Sequence, residues 1–179
     1  MFLKNKKKVD VFVTRGNTNI YDATDVAVYI INYCAEQNKP VNNIYLQKLL
    51  YLVYSFFLVE TTERKHLFNA KMVAWHYGPA FPEVYYAFHN YENAKIPYLN
   101  KYNTIMSMSP KTYRQATIAE KDRELIRYIV DKYRDKSFGD IVFLTQTQDP
   151  WSKTYGFNNV DGIISDKTII EYFSTHRQR

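Results

Sequence analysis

From Leu46 to Phe57 the residues Leu46, Leu49, Leu50, Val53, Phe56 and Phe57 recur at steps of three and four. That spacing lines one side of an α-helix and fits no strand, whose period is two. Asn42 or Asn43 stands just before it as the cap. The segment reads as a core helix, and it points to a mainly α fold.

The flanking sequence continues the pattern. Ala23, Ala27, Ile30, Ile31 and Cys34 fall on one helical stripe, with Asp22 or Thr24 as cap candidates, and this helix should end near Asn38-Lys39-Pro40. Polar Thr61 to His66 reads as a connection, and Met72 to Tyr77 as a short extended piece running into Gly78-Pro79. Pro82 suits a first helical turn and Glu83 its positive end, so a helix is expected from there to about Tyr91. Asn90 to Lys111, with Pro97 and Pro110, reads as a loop with a short strand near Thr104 to Met108.

Thr117-Ile118-Ala119-Glu120 has capping-box spacing and opens a helix with Leu125, Ile126, Ile129, Val130 and Tyr133 on one face. Ser137 with Asp140 starts a shorter helix through Ile141 and Leu144. Ser165 or Asp166 starts the last, with Ile169, Ile170 and Phe173 inward. The expectation is one compact helical domain of about six helices, residues 22–179, with a minor β component. Residues 1–21 form a basic, partly extended addition, in which alternating Val9, Val11 and Val13 suggest a strand. At 179 residues, with 46% apolar and 17% aromatic content, a single self-sufficient core is the default.

Composition also narrows function. The single cysteine, Cys34, excludes an intrachain disulfide and lies on an apolar stripe, where a thiol is an inert small hydrophobe. A reducing cytoplasm is expected. The lysines at positions 4, 6, 7 and 8 are not followed by a secretory apolar run. The apolar stretch from Leu49 to Val59 is far shorter than the about 20 residues that span a bilayer, so no membrane partner is expected. The +6 charge gathers visibly at Lys4 to Lys8 and at His176 to Arg179, which keeps a chain soluble or attracts nucleic acid weakly.

Catalysis finds little support in local sequence. His66, His76, His89 and His176 include no pair at helical four-residue spacing, and one cysteine cannot complete a zinc pattern. The five glycines build no phosphate loop. Neither an enzyme nor a cofactor is expected.

Two stretches look specified. In Ala74-Trp75-His76-Tyr77-Gly78-Pro79 an extended chain would put Trp75 and Tyr77 on one face and His76 on the other, with Gly78 at a bend. Such a segment is either a packed corner or a rigid aromatic platform for a partner; residue type alone favours the corner. In Asp149-Pro150-Trp151, Pro150 should hold Asp149 out of helical geometry and free its carboxylate for backbone donors, while Trp151 fills a groove. Gln47 and Lys48, between Leu46 and Leu49, are either solvated or pinned against the Trp75 corner.

Three blocks in order carry a family resemblance. They are Leu46-Gln47-Lys48-Leu49-Leu50-Tyr51, then Ala74 through Pro82-Glu83-Val84-Tyr85, then Asp149-Pro150-Trp151. They resemble the Panacea domain of SocA-like, phage-associated antitoxins, from about Asp22 to Phe173. Asn90 to Lys111 supplies no family landmark.

The resemblance implies an antitoxin that neutralises a protein toxin, often a translation inhibitor, by direct binding. It is also compatible with an adaptor that hands the toxin to a cellular protease. Candidate partner-binding or domain-defining residues are Gln47, Lys48, Trp75, His76, Tyr77, Gly78, Pro79, Glu83, Tyr85, Asp149 and Trp151, with the basic extension as a further contact. Rival expectations are a nucleic-acid-binding regulator of its own operon, or a hydrolase assembled from His76, Glu83 and Asp149.

Overall fold

The computed structural model describes residues 20–60, 66–100, 118–156 and 161–176. Its elements in chain order are α1 (Ala23–Glu36), α2 (Asn43–Glu60), β1 (Val73–Trp75), β2 (Gly78–Ala80) and α3 (Pro82–Ala87). A 3-10 turn (His89–Tyr91), α4 (Glu120–Tyr133), α5 (Phe138–Gln146), α6 (Asp149–Ser152) and α7 (Asp166–Thr175) follow. The expected mainly α architecture with a small β component is present, and the helix beyond the expected six is the single turn α6. The candidate strands at Val9 to Val13 and Thr104 to Met108 lie outside the described residues.

Helix α2 is the axle of the fold. It is buried on nearly every side, and α1, α3, α4, α5, α7 and β2 all pack against it. A helix apolar all round has no solvent face to offer, so the other elements must wrap it. Its opening is capped by Asn42, whose Oδ1 accepts from the Tyr45 amide at 2.9 Å. Asn43 is the first helical residue and is itself buried.

Local chemistry sets the other boundaries. Asp22 caps α1 through the Thr24 amide. At the far end Asn38 is left-handed (φ 56°), with Lys39 N donating to Cys34 O and Asn38 N to Ala35 O, a Schellman closure just before Pro40. Ser137 and Ser165 cap α5 and α7 as their spacing predicts.

Two helix boundaries differ from expectation. Helix α3 stops at Ala87 rather than near Tyr91, because the fully buried Phe88 donates to Tyr85 O, tightening the chain into a 3-10 turn. Helix α4 begins at Glu120 behind an extended Ala119 with no side-chain cap; Thr117, the expected cap, lies outside the described residues. The Tyr21 hydroxyl fixes that entrance instead, accepting from Ala119 N at 3.1 Å and donating to Asp122 at 2.6 Å.

The two strands form an antiparallel hairpin in the register Val73↔Ala80, Ala74↔Pro79, Trp75↔Gly78. The segment at Gly162 to Ile164 lies along the other edge of β1, through Ala74 N to Gly162 O and Ile164 N to Met72 O. No described helix is long and apolar enough to cross a membrane.

Candidate protein-binding site

Three strand residues on each side are too few to hold a hairpin by ladder bonds and packing alone. The missing support comes from side chains of three helices. Lys48 Nζ on α2 donates to Pro79 O at 2.8 Å, and Gln47 Oε1 accepts from Phe81 N at 2.9 Å. Gln146 Nε2 at the end of α5 donates to His76 O at 2.7 Å, and Trp151 Nε1 on α6 donates to Trp75 O at 2.8 Å. Asn43 completes the frame by donating to Tyr85 O and accepting from Gln47 Nε2. Gln47 and Lys48, each 1% exposed, are therefore pinned beneath the Trp75 corner rather than solvated.

The extended reading of Met72 to Tyr77 needs correction. The strand ends at Trp75, His76 and Tyr77 form the turn, and the chain reverses at Gly78, so Trp75 and Tyr77 do not share a strand face. Neither turn residue has positive φ; Gly78 takes the left-handed position instead, at φ 98°. A Cβ there would lie 2.9 Å from Thr145 Oγ1 and 3.2 Å from both Lys48 Cε and Nζ. Glycine is thus required both by conformation and by the close approach of α2 and α5.

A second correction concerns Asp149. It is the first residue of α6 rather than an extended residue before it; Gln148 is the extended cap. The Asp149 carboxylate pairs with Lys153 at 2.7 Å, one turn on. Trp151 fills its groove as expected, stacking on Tyr155 with ring centroids 4.5 Å apart.

These clamps leave a definite set of groups facing outward. A cleft of about 770 Å³ opens between the hairpin, the start of α2, α3 and the start of α5. Ile44, Trp75, Tyr77, Tyr85 and Phe138 supply apolar lining, Asn42 and Asn93 polar lining, with Lys48 and Gly78 at the base of the hairpin. Trp75 meets Tyr85 edge-on at 5.0 Å and donates from Nε1 to Asp161 at 2.7 Å. Tyr77, Tyr86 and Phe138 are 51%, 63% and 42% exposed, and rings link them to the cleft: Tyr77 to Phe138 at 6.5 Å, Trp75 to Tyr86 at 6.3 Å.

Burial pushes the Lys48 ammonium down to about 7. No ion pair among the described residues engages it. His76 Nδ1 lies 3.2 Å from the Tyr155 hydroxyl, and Glu83 is exposed in the first turn of α3. No described hydrogen bond or ion pair joins His76, Glu83 and Asp149, and no described cluster of three His, Cys, Asp or Glu could hold a metal. Burial pushes the Cys34 thiol up to about 11, which suits an inert core residue.

The structure thus sorts the sequence candidates. Gln47, Lys48, Gly78, Pro79 and Trp151 build and brace the hairpin, while Trp75, Tyr77 and Tyr85 line the cleft; His76 takes part in both through its backbone and ring. Asp149 stands apart in its own ion pair. Sequence reasoning missed Phe138, Tyr86, Asn93, Gln146 and Asp161, which come from distant segments with no local motif.

Residues 46–152, more than half of the chain, match the family described as Antitoxin SocA-like, Panacea domain. Antitoxin SocA of Caulobacter vibrioides (strain NA1000 / CB15N) is 39% identical over 67 residues, which are 37% of this chain. The match spans 35% of that relative's length. No solved structure matches. The matched span runs from the first turns of α2 to the end of α6 and contains the hairpin with its braces from Gln47, Lys48, Gln146 and Trp151, and the chain belongs to the SocA-like antitoxin family of Panacea domains.

Proposed function

We propose that this chain is the antitoxin of a toxin–antitoxin pair and neutralises a protein toxin by binding it directly through the hairpin face. The observation that carries the reading is the braced hairpin with its cleft and exposed Tyr77, Tyr86 and Phe138, in a domain of an antitoxin family. Buried aromatic anchors on a rigid frame are the usual source of tight protein binding, and a standard interface of about 1,600 Å² suffices for inhibition without catalysis. Rigidity matters because a partner then loses little free energy to ordering.

The test is co-expression with the product of the neighbouring gene, once that product is shown to be toxic alone. Rescue of growth with a stable complex supports neutralisation by binding. Rescue with disappearance of the toxin points instead to delivery to a protease. A double Tyr77→Ala, Tyr86→Ala variant should keep its melting temperature and lose rescue; full rescue would move the interface to another face.

A further inference from the structure

We propose that the cleft beside the hairpin receives an acidic side chain, Asp or Glu, of the bound toxin, with Lys48 as its counter-charge. The inference rests on the neutralisation reading and names the chemistry of the contact. Lys48 is a cation buried to 1% exposure, yet one hydrogen bond, to Pro79 O, is all that is described for an ammonium with three donors. Among the described residues no carboxylate is part of the cleft lining, the Asp161 carboxylate being engaged by Trp75 Nε1 at 2.7 Å; the charged or titratable lining residues are Lys48, His76, Tyr77 and Tyr85. Around Lys48 itself, α5 contributes Thr145 and β2 contributes Gly78 and Pro79, none of them acidic. The ammonium's depression to about 7 has burial as its cause, with no opposing carboxylate to lift it.

A buried ammonium without a partner is costly and gives up its proton more readily, and a carboxylate brought beside it favours the protonated form. The walls supply those surroundings through Ile44, Trp75, Tyr85 and Phe138, while Asn42 and Asn93 offer amide donors for the remaining carboxylate lone pairs. Gly78 carries no side chain that could stand between the amine and the cleft, and Lys48 is among the residues that line the cleft. The ammonium keeps one N–H on the Pro79 carbonyl, so the brace stays in place, and offers its remaining donors to the carboxylate. A polypeptide fits better than a free small molecule, because a ligand filling the cleft would leave the exposed ring of Tyr86 and the outer faces of Tyr77 and Phe138 in water.

The experiment is calorimetric titration of toxin into the full chain and into Lys48→Met, which keeps the aliphatic volume and removes the charge. Expected are a Kd at least tenfold weaker for the variant and proton uptake between pH 7 and 9 for the parent chain only. An unchanged Kd in a variant that melts like the parent overturns the proposal and leaves neutralisation standing. If Lys48→Met does not fold, ¹³Cε NMR of lysine in the parent chain decides: the Lys48 titration must move up by at least one pH unit in the complex, and no movement overturns it. If no complex forms with any toxin, neutralisation fails. Binding of N-acetylglutamate amide at Lys48 in that case would assign the cleft to a free carboxylate instead and overturn the toxin contact.

Discussion

Replacing Gly78 with alanine tests the reasoning about the hairpin most directly. The residue has φ 98°, and an L side chain in left-handed geometry costs about 1–2 kcal/mol. The new methyl would meet Thr145 Oγ1 at 2.9 Å, a hydroxyl held in place by bonds to Ile141 O and Val142 O, besides Lys48 at 3.2 Å. Forcing a methyl into such a contact adds about 1–3 kcal/mol. Together these give about 2–5 kcal/mol, a large fraction of the about 5–15 kcal/mol that holds an ordinary domain together. For a chain of this size about 3 kcal/mol corresponds to a fall in melting temperature of about 6–12 °C. Urea and thermal unfolding of Gly78→Ala measure it. Adding Thr145→Ala should return part of the loss, since the two residues share one contact. A melting temperature within about 2 °C of the parent would refute both the left-handed turn and the close approach of α5.

Further outcomes follow from the same frame. Lys48 binds its proton more weakly folded (about 7) than unfolded (ordinary value 10.5), so the unfolded chain holds more protons between those values. Stability should therefore rise with pH from 7 to 9, by up to about 1.4 kcal/mol per unit. Lys48→Met should lack the rise; equal slopes in urea titrations would contradict the burial argument. Gln47→Leu leaves the Phe81 amide without its acceptor and should cost about 1–3 kcal/mol, read by chemical denaturation. Trp151→Phe keeps an aromatic ring against Tyr155 but removes the donor to Trp75 O, so a smaller loss of about 1 kcal/mol is expected in the same assay.

Periodicity made the helices legible. Leu46, Leu49, Leu50 and Val53 placed α2, and Ser137 and Ser165 placed the starts of α5 and α7, because caps and apolar stripes are local signals. The hairpin was not legible, since its turn carries neither Asn-Gly nor glycine between the strands; the left-handed glycine comes one residue later. Asp149 was misplaced for a related reason, because proline is tolerated in the first helical turn and Gln148 took the extended position instead. Trp75 and Tyr77 stood out by type, but Phe138 and Tyr86 became part of the site only through packing of α5 and α3 near the hairpin.

The braces on the hairpin start from α2, α5 and α6, so the turn holds its shape only while those helices are in place. A ligand of the turn is consequently a ligand of the native state as a whole. By mass action, a partner at a hundred times its Kd adds about 2.7 kcal/mol to the domain's resistance to opening, and cleavage by any protease that needs the opened chain slows in proportion. Occupancy by the partner and lifetime of this protein in a cell are thereby coupled, without a separate device to link them.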